Sequence, residues 1–395
     1  GVRIDTNRAE QASERLSKKE QQLLVEIKRR FGISVDIWAS ASIQKAFDAN
    51  DIWYPHTEKG SPSFQGPWLE SHEHDLPKMI VEARRINKAR TTFIEGAILQ
   101  YSHNGRIHAE AHPLKNDGGG TVTGRFSYSN PNLQQIPARD PEIGKMIRSL
   151  FIPEEGASWG VFDYSQQEPR ITVHYSALLG LRGAADAVNA YSNEGADFHQ
   201  IVADMAGIPR KQAKNINLGL TYGMGQKKLI TELGLDPDEA LKLLNTYHAR
   251  VPFIKGIQDM CSRMGEQRGY ITTLGGRKCH FDLWEPVGYL HGEKHTPLPE
   301  QEAREKYGDN LKRSFTYKAL NKLIQGSAAD MTKLAMRDLW KEGMVPHIGI
   351  HDELDYSIFN KEQSDMVIDR MVNCVDLKVP LVVDYETGIN WGEAK

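Results

Sequence analysis

The stretch His347-Ile348-Gly349-Ile350-His351-Asp352-Glu353-Leu354-Asp355-Tyr356-Ser357-Ile358 alternates apolar and polar residues on both sides of a polar centre. Period two is the signature of paired strands, so the segment predicts a hairpin with His351-Asp352-Glu353 at its turn. Upstream, Ser158-Trp159-Gly160-Val161-Phe162-Asp163 predicts a short buried strand that ends in an acid. If these strands pair, Asp163 and Asp352 stand side by side, and the fold has to be a sheet built around two carboxylates. Close carboxylates repel, and one takes up a proton unless divalent cations hold both ionised. Magnesium suits the pair, because it takes few carboxylates together with water and phosphate oxygens. Of two such ions, one would activate an attacking hydroxyl and the other a leaving oxygen. A strand-end Asp alone is ordinary; its meaning depends on what surrounds it.

A second element sharpens the reading. In Arg210-Lys211-Gln212-Ala213-Lys214-Asn215-Ile216-Asn217-Leu218-Gly219-Leu220-Thr221-Tyr222-Gly223, the residues Arg210, Lys214, Leu218 and Tyr222 recur every four positions. That spacing puts them in a slowly drifting stripe on one helix face. Like charges four apart destabilise a helix by a few tenths of a kcal/mol. No acid lies within the run to offset them, so an external anion is the natural partner. Arg210 and Lys214 would hold a triphosphate while Leu218 and Tyr222 pack on the nucleoside. Viewed alone, the run reads better as an amphipathic helix with a solvated basic edge.

With 395 residues, the chain exceeds one ordinary core, and two or three subdomains around a shared cleft are expected. A hydrophobic share of 39%, a charged share of 26% and no long uncharged apolar run exclude a membrane span. Cys261, Cys279 and Cys374 have no paired spacing, which argues against a zinc site or a disulfide framework and for a reducing compartment. A net charge of -3 argues mildly against so anionic a partner as DNA. Distribution matters more than the sum, since Arg84-Arg85-Lys88-Arg90, Arg210-Lys211-Lys214 and Arg277-Lys278 are local basic clusters that bind phosphate only if they converge on a cleft. Helical patterns run from Thr6 to about Phe31, from Ser42 to Phe47, from Leu76 to Gly96, and through Ala185 to Arg268. The Pro-, Gly- and charge-rich stretch 282–310 predicts an extended loop, followed by a helix over Ser314 to Glu342.

Taken together these segments resemble the family A DNA polymerases. Asp163-Tyr164-Ser165-Gln166-Gln167-Glu168-Pro169-Arg170 is similar to the family's motif A, Arg210 to Gly223 to motif B, and His351-Asp352-Glu353 to motif C, in the family's order. Thr123-Gly124-Arg125-Phe126-Ser127, Asn130 to Pro137 and Leu320 to Asp330 resemble its primer-template segments, and the opening Gly1 to Asp5 and late Gly388 to Trp391 also have counterparts. Several ordered motifs leave little room for accident.

The resemblance implies an α+β right-hand architecture with an antiparallel palm sheet, helical fingers and a helical thumb. It divides the chain into a thumb (1–97), a first palm part (98–175), fingers (176–312) and a second palm part (313–395). It implies a template-directed DNA polymerase adding dNTPs to a primer end. The metal ligands would be Asp163, Asp352 and the Tyr164 carbonyl, holding two Mg2+ ions or Mn2+ in their place, with Glu353 supporting them. Nucleotide contacts would come from Arg210, Lys214, His199, Gln166, Glu168, Leu218 and Tyr222. Among these Glu168 would be the steric gate against a ribose 2'-OH, and Lys214 could donate a proton to pyrophosphate. DNA contacts would come from Arg84, Lys88, Arg125, Asn132, Gln134, Gln135, Arg277, Asn321, Gln325 and His351. Their chemistry suits the minor groove, whose acceptors are common to every base pair.

Departures exist. At Leu218 the family usually has Phe or Tyr, and Gln167 and Pro169 replace the more frequent Ile and Leu, a variant similar to bacteriophage polymerases. Partners implied are primer-template DNA and dNTPs, with no membrane, for a cytoplasmic monomer that is compatible with a processivity factor or an upstream exonuclease domain. No exonuclease fits within these residues. The rival readings are a single-subunit RNA polymerase, which should lack an acid placed like Glu168, and a catalytically inactive primer-template binding subunit, which would not need Asp163, Asp352, Arg210 and Lys214 together.

Overall fold

The computed structural model describes residues 1–116, 119–138, 140–192, 197–221, 230, 236–288 and 295–394. The chain enters through strand β1 (Val2–Ile4) and turns into helix α1 (Thr6–Phe31). Asp5 caps α1 by accepting from the Arg8 N–H at 2.9 Å, Gly32 ends it in a left-handed conformation, and Lys28, Arg29 and Arg30 complement the dipole at its C-terminus. Helices α2 (Ser40–Asp48), α3 (Gly66–Ser71) and α4 (Asp75–Lys88) close on the distal part of α1 around Ile27, Ile43, Phe47, Leu69 and Ile80. The helix continues from Ala89 to Leu99 with a wider, π-type winding. Here Arg90 reaches the buried Glu20 of α1 at 3.1 Å. The distal part of this helical unit has an apolar core of its own, whereas Ala9, Leu16, Ile94 and Ile98 pack with Val2 and Ile107.

Short strands β2 (Ser102–His103) and β3 (Arg106–Ile107) add to β1, β4 (Glu110–His112) pairs with β5 (Ser127–Ser129), and α5 (Ile143–Arg148) leads to β6 (Phe151–Ile152). The long strand β7 (Ser158–Tyr164) lies inside the sheet that positions the site. Its alternate faces meet different cores: Trp159 and Val161 join Trp391, Ile348 and Phe151, whereas Phe162 and Tyr164 pack on Met331, Ala335 and Leu339. A strand covered on both faces reads as a nearly continuous apolar run, as this one does.

Helices α6 (Gln167–Leu178), α7 (Ala184–Ser192), α8 (Phe198–Ala206), α9 (Arg210–Thr221), α10 (Pro237–Arg250) and α11 (Pro252–Arg268) follow. Val173, Tyr191, Ala213, Ile216, Tyr247 and Phe253 form their shared core. A two-stranded ribbon, β8 (Tyr270–Thr272) with β9 (Lys278–His280), precedes the 282–310 segment.

That segment corrects the expected loop. Its described residues hold β10 (Leu283–Pro286), β11 (Leu298–Pro299) and helix α12 (Glu300–Tyr307), and with β12 (Leu311–Arg313), just beyond it, the strands form a small sheet of order β11-β10-β12. Strands this short have too few alternations to show period two, and Pro286 and Pro299 read as breakers while sitting at strand ends. Helix α13 starts at Ala319 rather than Ser314 and runs to Lys341, because 316–318 wind as a tighter turn. The hairpin is β13 (Ile348–Ile350) and β14 (Glu353–Ile358), covered by α14 (Lys361–Val372), and β15 (Val383–Gly388) completes the antiparallel sheet β13-β14-β7-β15. The architecture is α+β, as expected. Among the described residues, no helix is long and apolar enough to cross a membrane.

Candidate active site

Strand register brings the acids together. Glu353 of β14 lies directly opposite Asp163 of β7, and the Tyr164 N–H donates to the Asp352 carbonyl oxygen at 3.2 Å. Residues directly opposite in an antiparallel pair share a face. On the other side of β7, Asp384 of β15 is also opposite Asp163, so the row Asp384, Asp163, Glu353 crosses three strands. Like charges in such positions are mutually destabilising. His351 adopts a left-handed φ of 58°, which turns the chain so that Asp352 heads β14. Burial pushes the Asp352 carboxyl above the ordinary carboxylate range and Glu168 adds to it, while Arg125 and His351 act in the opposite direction. Carboxylates at the ends of adjacent strands are the donor type that a magnesium ion takes together with water and phosphate. Among the described residues no cluster of three or more His, Cys, Asp or Glu side chains is arranged as a complete protein cage.

Glu168 stands in the first turn of α6, immediately after β7, and forms an ion pair with Arg125. The side chains are 13% and 21% exposed, so the pair is shielded enough to fix the carboxylate. Gly124, beside Arg125, has a φ of +80°, and a Cβ there would meet the Arg277 guanidinium at 2.6 Å, so only glycine fits the turn. Gln166, also left-handed, accepts from the Tyr191 hydroxyl at 3.2 Å.

On the helical side, His199 and Arg210 approach through α8 and α9. His199 is buried and its Nδ1 lies 3.2 Å from Asn217 Nδ2, while Tyr247 donates to Asn217 Oδ1. Burial, then the charges of Lys214 and Arg210, hold the His199 imidazole below its usual range against the opposing pull of Asp197. The reading that Arg210 needs an external anion requires correction: its Nε donates to Asp197 Oδ2 at 2.8 Å. The acid lies outside the helix, on the N-cap of α8, where a search within one helix could not find it. Lys214 is exposed. The Leu218 side chain and Tyr222 lie outside the described residues.

The DNA-contact candidates divide into engaged and exposed groups. Arg84 donates to the carbonyls of Ile37 at 2.6 Å and Phe64 at 2.9 Å, which ties the first helical unit together, while Lys88 is exposed. Arg277 donates to Thr123 and Gly326 carbonyls at 2.7 and 3.0 Å and pairs with Asp330 at 3.0 Å. Asn132 caps the turn at Leu133–Gln135, and Gln134 donates to the Phe126 carbonyl at 3.1 Å. Gln135 and His351 are exposed, and Asn321 and Gln325 are half-buried on α13.

Comparison with known proteins identifies the family. The profile of DNA polymerase family A matches residues 6–393. The chain belongs to DNA polymerase family A. A "DNA-directed DNA polymerase" of Pseudomonas phage M6 is 34% identical over 446 aligned positions, covering 100% of this chain and 63% of the relative. A "DNA polymerase DpoZ" of Acinetobacter phage SH-Ab 15497 is 31% identical, covering 99% and 66%. The chain thus spans under two thirds of the length of these phage relatives, and its similarity to them bears out the phage-like reading of the chain as a whole. The polymerase domain of Pol1 from M. smegmatis, solved with DNA primer-template and dNTP, superposes with a TM-score of 0.76 at 26% identity, covering 100% of this chain and 68% of that one.

Within this family A fold, sequence reasoning missed Asp384, Asp197, Asn217 and Tyr247. Asn217 was visible inside the motif B helix, one turn from Lys214. The other three are brought in by tertiary pairing and leave no local pattern.

Proposed function

We propose that this chain extends a DNA primer on a DNA template, adding dNTPs and releasing pyrophosphate, with two Mg2+ ions bound at Asp163, Asp352 and the Tyr164 carbonyl. The observation that carries the reading is the register placing Asp163 beside the hairpin that presents Asp352. When bound, the ions supply Lewis-acid activation of the primer hydroxyl and charge neutralisation on the phosphates. Glu353, opposite Asp163, supports that edge. Arg210 and Lys214 bind the triphosphate, Arg210 by exchanging Asp197 for phosphate, and Lys214 donates a proton to the departing pyrophosphate. His199 is oriented toward them by Asn217, and Gln166 lines the same side. Leu218 and Tyr222 pack on the nucleoside. Glu168, fixed by Arg125, fills the space of a ribose 2'-OH.

The first helical unit (1–97) serves as thumb, the β13-β14-β7-β15 sheet as palm and the α7 to α11 region as fingers. Lys88, Gln135, Asn321, Gln325 and His351 face the primer-template, whereas Arg84, Arg277, Asn132 and Gln134 hold the segments that form that surface. The phage relatives support a protein of an infected bacterial cell, and we take it to be cytoplasmic and to work on DNA as a monomer. Primer extension tests the reading. Template-directed dNTP addition in Mg2+ that stops with EDTA is expected. Equal use of rNTPs would favour the RNA polymerase reading, and tight primer-template binding without extension would indicate an inactive binding subunit.

A further inference from the structure

The small sheet β11-β10-β12 has no part in the chemistry above, yet it encloses a cavity of about 440 Å³ where it meets the start of α13. Glu285, His295, Lys312, Ser314, Phe315 and Tyr317 line it. That volume is ample for one nucleobase, and an apolar cavity with a few convergent polar groups is the usual form of a small-ligand site. Its aromatic side is unusual. Phe315 has a φ of +60°, a conformation costly for a bulky residue, and Tyr317, 52% exposed, stands 6.4 Å away between ring centroids. Lys318 Nζ lies 4.6 Å from the Phe315 ring and 5.6 Å from that of Tyr317. Glu285 is held in place, accepting from Ser314 at 2.7 Å and pairing with Lys312 at 3.3 Å. A carboxylate so fixed retains lone pairs for an exocyclic amino group.

Polar positions continue from the cavity along the helix. Arg313 and Lys322 are tied inward, donating to the Phe281 and His280 carbonyls at 2.8 and 2.6 Å, so the exposed cation leading from the cavity is Lys318, with Asn321 and Gln325 further along the helix. Aromatic faces interleaved with cations are what proteins use to hold single-stranded nucleic acid. We propose that this cavity holds one unpaired base of the template strand ahead of the primer end, with Tyr317 and Phe315 as stacking surfaces and Lys318 on the adjacent phosphate. The inference rests on the polymerase reading, since Gln325 marks the duplex end of the path. From Tyr317 to Gln325 is about 12 Å at ~1.5 Å per helical residue. The base held is therefore roughly three to four nucleotides ahead, at the ~3.4 Å spacing of stacked bases.

The test is equilibrium binding, by fluorescence anisotropy without dNTP, of primer-templates with a one- or six-nucleotide 5' template overhang. The six-nucleotide overhang should bind about 5- to 150-fold more tightly, the range one base–aromatic stack supplies. An abasic residue walked along the overhang should remove the gain at one or two neighbouring positions, a result that needs no protein variant. Tyr317→Ala should remove it as well, and Tyr317→Phe should keep it. Equal affinity for both overhangs, an abasic walk without effect, or equal loss on both substrates in Tyr317→Ala would overturn the proposal. Extension on the one-nucleotide overhang is the separate control. If that fails, the polymerase reading falls; if it succeeds without overhang dependence, only the pocket does.

Discussion

Arg125 should control sugar selection without touching the sugar. Its guanidinium is ion-paired with Glu168, and side-chain exposures of 21% and 13% shield the pair from water and salt. A charge-assisted hydrogen bond of this kind contributes about 1.5–3 kcal/mol. Arg125→Ala releases the Glu168 carboxylate to rotate out of the space a 2'-OH would occupy. If half of that energy had held the gate shut, the ratio of kcat/KM for dCTP over CTP falls by about 4- to 13-fold, at 1.36 kcal/mol per factor of ten. Glu168→Ala should lower the ratio at least as much. Because Arg125 acts through Glu168, the double variant should match Glu168→Ala rather than multiply the two losses. Steady-state kinetics with both nucleotides in the four proteins measures this. Multiplicative losses, or an unchanged ratio in Arg125→Ala, would refute the positioning argument even if overall rate fell.

Three further outcomes follow from particular contacts. Asp197→Asn keeps a side chain able to cap α8 but releases Arg210; since the exposed pair is worth only ~0.5 kcal/mol, KM for dNTP should fall about two-fold, and a rise in KM would contradict the exchange of Asp197 for phosphate. Arg84→Ala should lower unfolding free energy by about 1–3 kcal/mol with no change in the salt slope of primer-template binding, whereas Lys88→Ala should reduce that slope by about one. His347 is half-buried against Trp159 with Nε2 2.7 Å from Ser357 Oγ, and desolvation lowers its imidazole to about 4. A depressed folded value means its stabilising share is complete above the unfolded value near 6.5 and is lost on acidification toward 4. Urea melts should therefore show about 2–3 kcal/mol lost across that window, a loss absent in His347→Gln.

The sequence made the reacting edge legible because its segments carry strong local periods: β7 is an apolar run ending at Asp163, and the Ile348 to Ile358 hairpin alternates about Asp352. Helix α1 was equally plain, with its boundary residues at Thr6 and Phe31 marked by Asp5 and Gly32. The β10 to β12 sheet was not legible, because strands of two to four residues show no alternation and their prolines mimic loop signals. Partners were the other blind spot. Arg210 meets Asp197, Arg125 meets Glu168 and Arg84 meets two carbonyls, all through packing between elements, so side chains that look like free cations in one dimension are committed in three. Asp384 joins the acidic row only through the register of β15, a strand the sequence left unmarked.

The central claim, that Asp163 and Asp352 act as one site, is tested most directly by single-turnover extension of a bound primer-template in Asp352→Asn, an isosteric change that removes only the charge. Extension should fall by at least a thousand-fold, as losses of a principal electrostatic element of an active site do, with primer-template affinity within about two-fold of the parent chain. Extension near the parent rate, or loss of DNA binding in proportion to loss of extension, would contradict the account.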